Sequence, residues 1–209
     1  MNIAAPLSIE DAVYQRAARL LAVQHAVAEV FGGRKVDADP VAIKEAVLCI
    51  RAAVRKSDGA YATFIGGLAV QQLGYERWTD DVDVVVDAAH YGEVLENLRA
   101  VGFVLKADFT LVQAETGAKV DLLKEGIRMK DALLPLPHPA LLGPNLGFAT
   151  INGVIRLKLD ARRRQDMADI VAVLKPRLAQ LDAIRASLPI ELQADFDSIA
   201  AEARREAAP

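Results

Sequence analysis

The chain has 209 residues, with 25 Lys plus Arg against 28 Asp plus Glu and a formal net charge of −3. That length suits one domain, or one core with a helical extension, and 53% apolar with 25% charged residues excludes a disordered chain. The near-neutral balance argues against nucleic-acid binding by bulk charge, and an aromatic content of 5% argues against stacking platforms for single strands.

The first residues, Met1-Asn2-Ile3-Ala4-Ala5-Pro6, carry neither the basic start nor the apolar stretch of a signal peptide. No apolar run approaches the ~18 residues of a membrane span. The expectation is a soluble, cytoplasmic protein with no membrane partner.

From Ser8 to Val30, apolar residues recur at helical spacing, and Ser8-Ile9-Glu10-Asp11 offers a capping box. A second helix runs from Pro40, a good first-turn residue, to Lys56, with Ser57-Asp58-Gly59 as its stop. It contains the single cysteine, Cys49, which has no disulfide partner and reads as a buried, inert thiol. His25, His90 and His138 stand at no zinc-ligand spacing from it.

The pattern then changes. Tyr61–Ile65 has strand composition, Gly66-Gly67 breaks it, and Leu68–Leu73 fits a short helix closed by Gly74. Val82–Val86 reads as a second strand and Ala88–Val101 as a helix stopped at Gly102. Strands follow at Phe103–Lys106, Phe109–Ala114 and Ala118–Leu123, with Glu115-Thr116-Gly117 as a turn. Leu133–Gly147 holds four of the nine prolines and reads as a loop long enough to lie over a site. Helices resume at about 150–163, 166–175, 177–187 and 190–206. The expected fold is α+β: a helical extension (1–58), a small mixed-sheet core (59–132), a Pro-rich connector (133–149) and a helical region (150–209).

Four groups of residues carry candidate chemistry. In Thr79-Asp80-Asp81-Val82-Asp83-Val84, strand period places Asp81 and Asp83 on one face and Val82 and Val84 on the other. Adjacent carboxylates repel unless a cation lies between them, and Mg²⁺ suits oxygen ligands, although the same residues also fit an exposed acidic strand end. Gly66-Gly67, between strand and helix, frees backbone N–H groups for a phosphate, or serves only as a tight turn. Asp121, between Val120 and Leu122, completes a three-carboxylate cluster if its strand neighbours Val82–Val86; otherwise it faces solvent. Lys158, Arg162 and Asp169, with Asp166 near them, fall on one helical stripe that could face the carboxylates, or form an ordinary solvated face.

The order and spacing of these groups resemble the nucleotidyltransferase superfamily, and within it the small stand-alone branch that includes AbiEii-type abortive-infection toxins. Gly74, Arg77, Thr79, Asp81 and Asp83 match the form Gly-x-x-Arg-x-Thr-x-Asp-x-Asp. Lys119-Val120-Asp121-Leu122-Leu123 resembles the third-carboxylate strand, and Lys158, Arg163, Asp166 and Asp169 resemble the downstream helix motif. Gly67 stands where many members have Ser, and Asp160 where an apolar residue is usual. The resemblance covers roughly residues 60–175 and implies a polymerase-β-like core that moves a nucleoside monophosphate from an NTP to an acceptor. It further implies Mg²⁺ or Mn²⁺ on Asp81, Asp83 and Asp121, and phosphate contacts from Gly66, Gly67, Arg77, Thr79, Lys158 and Arg163, with Asp166 and Asp169 orienting Lys158. The acceptor is left open among RNA or tRNA, a protein side chain and a small molecule. An antitoxin or a second copy is the implied protein partner. A non-catalytic relative that binds nucleotide or a protein through the same frame is the alternative.

Overall fold

The computed structural model describes residues 40–77 and 79–208. The helix expected over Ser8–Val30, His25 and Trp78 lie outside the described residues. The elements in chain order are α1 (Pro40–Lys56), β1 (Ala62–Phe64), α2 (Gly66–Gln72), β2 (Asp81–Val86), α3 (Tyr91–Arg99), β3 (Phe103–Leu105), β4 (Thr110–Gln113) and β5 (Lys119–Lys124). After a 3-10 turn at Pro139–Leu141 come α4 (Ile151–Ala161), α5 (Arg164–Leu174), a second 3-10 segment (Lys175–Gln180), α6 (Leu181–Ser187) and α7 (Ile190–Ala207). The fold is α+β, with a small mixed sheet flanked by helices.

The five strands form one sheet in the order β1-β2-β5-β4-β3. β2 and β5 are parallel, and the other neighbouring pairs are antiparallel. The alternation in β2 decides which side is buried. Val82, Val84 and Val86, with Val120 and Leu122 of β5, face a core closed by Ile43, Val47, Ile50 and Val54 of α1 and Val94 and Leu98 of α3. The opposite face carries Asp81, Asp83 and Val85 on β2 and Asp121 and Leu123 on β5. Only its apolar end is covered, where Val85 and Leu123 pack with Val70 of α2, Val154 of α4 and Val173 of α5. The carboxylate end is left open.

A separate apolar cluster joins α4 to α7 through Ile155, Leu159, Ile170, Leu174, Ile184, Leu192, Phe196 and Ile199. On α7, Ile199, Ala200 and Ala203 are buried against this chain's own helices. Cys49 is half-buried on the flank of α1 rather than sealed in the core, and burial, with the Glu45 charge next, raises its thiol pKa. No described helix is long and apolar enough to cross a membrane.

The Pro-rich connector divides in two. Its later part runs along the free edge of β1: Gly147 O accepts from Phe64 N at 2.9 Å, Ala149 N donates to Phe64 O at 2.7 Å, and Phe64 and Phe148 form a parallel bridge. Asn145 accepts from Ala62 N and donates to Ala60 O, and Thr63 Oγ1 donates to Pro139 O at 3.0 Å. These bonds protect an edge that would otherwise template pairing with another chain. In the connector's earlier part, Leu136 lines a cavity on the open acidic face, together with residues 129–132 just before the connector.

Candidate active site

Parallel pairing of β2 with β5 sets Asp83 directly beside Asp121, with Asp81 beside Lys119. All three aspartates are half-buried and offer carboxylate oxygens within 4.8 Å of one another. Among the described residues, this is the one group of three or more His, Cys, Asp or Glu side chains that could share an ion. Packing three like charges this closely has the expected consequence. Burial, with the charges of Asp81 and Asp121 next, pushes the Asp83 pKa from 3.8 to about 7, although Arg163 and Arg77 pull it down. Burial also raises Asp81, against a lowering hydrogen bond from Thr79.

Two threonines hold the outer carboxylates. Thr79 Oγ1 donates to Asp81, lying 3.0 Å from Oδ1 and 3.1 Å from the backbone oxygen. Thr110 of β4, paired across the sheet with Asp121, donates to Asp121 Oδ1 at 2.7 Å. Thr79 was expected at a phosphate; the structure places its hydroxyl on Asp81. Thr110 could not be found from the motif, because its position depends on the β4–β5 register.

Gly66 and Gly67 are required here by close packing. Gly66 has φ +62°, and a Cβ there would overlap Asp83 Oδ2. A Cβ on Gly67 would lie 2.5 Å from Thr79 Cβ. A serine at this second position does not fit beside Thr79. The turn thus admits Asp83 and Thr79 to the backbone.

The downstream residues form a second, adjoining network. Lys158 is buried on α4, and its Nζ donates to Asp166 Oδ1 at 2.8 Å and Asp169 Oδ2 at 2.6 Å. Arg77 Nη1 reaches Asp169 Oδ2 at 2.6 Å, and Arg163 Nε reaches Asp166 Oδ2 at 2.6 Å. Burial works against the charged form of Asp166, but bonds from Arg163 and Lys158 outweigh it and hold its pKa below the ordinary value. Three cations therefore share two carboxylates, leaving a positive excess beside the acidic cluster. Arg162 does not share the expected stripe. α4 ends at Ala161, Arg162 adopts φ +55°, and its guanidinium pairs with exposed Asp195 at 2.7 Å. Asp160, unexpected on an apolar pattern, is buried because Oδ1 accepts from Leu133 N at 2.8 Å and Leu134 N at 3.1 Å. It ties the early connector to α4.

Between that tie and the sheet lies a cavity of about 330 Å³ that borders Asp83, Asp121, Gly66, Lys158 and Arg163. Asp81, Arg77 and Thr79 do not line it. The arrangement can hold a divalent cation: every ligand atom is a hard oxygen, mutual repulsion favours a positive charge among them, and the Gly66 backbone is shaped to seat Asp83.

No family model matches the chain, and no curated protein matches it. Among solved structures, it is similar to the solution structure of the antibiotic-resistance factor ANT(2'')-Ia, at 13% identity and TM-score 0.46, covering 78% of this chain and 97% of that one. The crystal structure of ANT(2'')-Ia in complex with adenylyl-2''-tobramycin gives 14% identity, TM-score 0.44, and coverage of 78% and 98%.

Proposed function

We propose that this chain is a divalent-metal-dependent nucleotidyltransferase. It moves a nucleoside monophosphate from an NTP to a hydroxyl acceptor and releases pyrophosphate. The observation that carries the reading is the cluster of Asp81, Asp83 and Asp121 on adjacent parallel strands, within 4.8 Å and on the open face of the sheet. The spacing of Gly74, Arg77, Thr79, Asp81 and Asp83 supports it independently.

Asp81, Asp83 and Asp121 would hold Mg²⁺ or Mn²⁺, which supplies charge neutralisation at the phosphates and at the attacking and leaving oxygens. Asp121, bordering the cavity, receives the proton of the acceptor hydroxyl. The acceptor oxygen forms a bond to the α-phosphorus, the bond from that phosphorus to its bridging oxygen breaks, and pyrophosphate leaves. Arg77 and Arg163, close enough to Asp83 to lower its pKa, offset triphosphate charge. Backbone N–H groups around Gly66 and Gly67 lie on the phosphate path. Lys158 acts mainly by holding Asp166 and Asp169, which in turn fix Arg163 and Arg77. Phosphoryl chemistry asks chiefly for such positioning and charge.

Purified protein incubated with Mg²⁺, each NTP and separate RNA, protein and small-molecule pools should release pyrophosphate with at least one pool, and Asp81→Asn/Asp83→Asn should not. Nucleotide binding without turnover in every pool would favour the non-catalytic alternative. The resemblance to AbiEii-type toxins supports one specific role for the activity. On that role, expression of the parent chain arrests growth and the double variant does not.

A further inference from the structure

The cavity beside Asp83 and Asp121 has a lining unlike that of a nucleotide-base or nucleic-acid site. Its body is apolar: Ile65, Phe109, Leu123, Leu136, Val154 and Leu157. Among the described residues, its lining has no Ser, Thr, Asn, Gln, Tyr or His side chain to read the edge of a base. Phe109 is its one aromatic ring among the described residues. At about 330 Å³, it falls at the small end of small-molecule sites.

Its charged lining also selects. The acids are Asp83, Asp121, Asp131 and Asp160, and the cations are Lys130, Lys158 and Arg163. Lys158 and Arg163 are already paired with Asp166 and Asp169. Once a divalent cation offsets Asp83 and Asp121, Asp131 and Asp160 face the cavity, with Lys130 as the remaining countercharge among the described lining residues. A phosphate backbone entering here would meet like charge, whereas an ammonium would not.

We propose that this cavity seats the acceptor, and that the acceptor is a small alcohol with a compact apolar body and a neutral or cationic substituent, rather than RNA. The inference rests on the nucleotidyltransferase reading. A molecule seated against Leu123 and Leu157 presents its hydroxyl to Asp121, and its substituent lies toward Asp131 and Asp160. Transfer to it makes the phosphodiester of that alcohol, with pyrophosphate as the other product.

Met129 lines the cavity and Met167 packs in the helical cluster, so methyl-labelled methionine in the full chain supplies a site reporter and a control. The probes are trans-4-aminocyclohexanol, cyclohexanecarboxylate and a short oligoadenylate, each added with and without Mg²⁺ and the α,β-methylene analogue of ATP. The expected result is a saturable Met129 shift with the aminoalcohol that persists when the analogue is bound, with Met167 unmoved. Cyclohexanecarboxylate should bind at least about fivefold more weakly, the scale of one unit-charge contact in water. Asp131→Asn, which keeps a residue type tolerant of φ +66°, should bring the two within about twofold. The proposal is overturned if the analogue itself fills the cavity and excludes the aminoalcohol, if the oligoadenylate competes at Met129, or if no probe moves Met129 while the analogue binds. Failure of the analogue to bind at all overturns the transfer reading, and the acceptor role with it.

Discussion

Asp83 is the carboxylate on which the metal-free protein strains most, and Asp83→Asn measures that strain. Its pKa stands at about 7 in the fold against 3.8 when unperturbed. Between those values the native state binds a proton that the unfolded chain does not, so stability falls as pH rises from about 4 through 7. Carried wholly by one group, the rise corresponds to roughly 4 kcal/mol at pH 8. Spread over three coupled carboxylates and screened by solvent at the open face, about 2 kcal/mol is expected. Asparagine has nearly the same shape and cannot ionise. In EDTA at pH 8, Asp83→Asn should therefore be more stable than the parent, by roughly 4–8 °C in Tm for a domain of this size. At pH 5 the gap should shrink. Asp166, whose pKa is lowered, titrates below this window and does not interfere. Adding Mn²⁺ should reverse the order at pH 8, because the parent gains a ligand that the variant binds poorly. A parent whose stability in EDTA is flat from pH 5 to 8, or a variant less stable at pH 8, would refute the electrostatic reasoning.

Other residues give equally direct tests. Lys158→Met leaves Asp166 and Asp169 buried with Arg77 and Arg163 as their remaining cationic partners, and should lower unfolding free energy by about 3 kcal/mol in urea titrations. Gly67→Ser forces a Cβ to within 2.5 Å of Thr79 Cβ, and should cost about 2 kcal/mol while weakening Mn²⁺ binding through Thr79. Thr110→Val removes the hydroxyl on Asp121 Oδ1 and should weaken Mn²⁺ binding by about tenfold or more, with Thr110→Ser restoring it.

The legible parts of the sequence are those governed by local period. Val82, Val84 and Val86 alternate with Asp81 and Asp83, so the shared face of the two acids follows from strand geometry alone. Asp121 flanked by Val120 and Leu122 follows the same rule. What was not legible depended on partners distant in sequence. Thr110 reaches Asp121 only through the β4–β5 register. The glycines at Gly66 and Gly67 were visible, but the atoms that need their missing Cβ, on Asp83 and Thr79, come from β2 and its approach. Arg162 left its stripe because α4 ends in a left-handed residue that is not glycine, which no stop signal announces. The prolines marked the connector as a loop, yet its attachment to the edge of β1 is a property of the finished sheet.

The central claim is transfer of the α-phosphoryl group at the three aspartates, and parallel reactions with α-labelled and γ-labelled NTP test it most directly. In Mg²⁺, α-label should appear in an acceptor product while γ-label appears in pyrophosphate, and both signals should vanish in Asp81→Asn/Asp83→Asn. Release of γ-label as inorganic phosphate with no α-label transferred, or turnover unchanged in the double variant, would contradict the account.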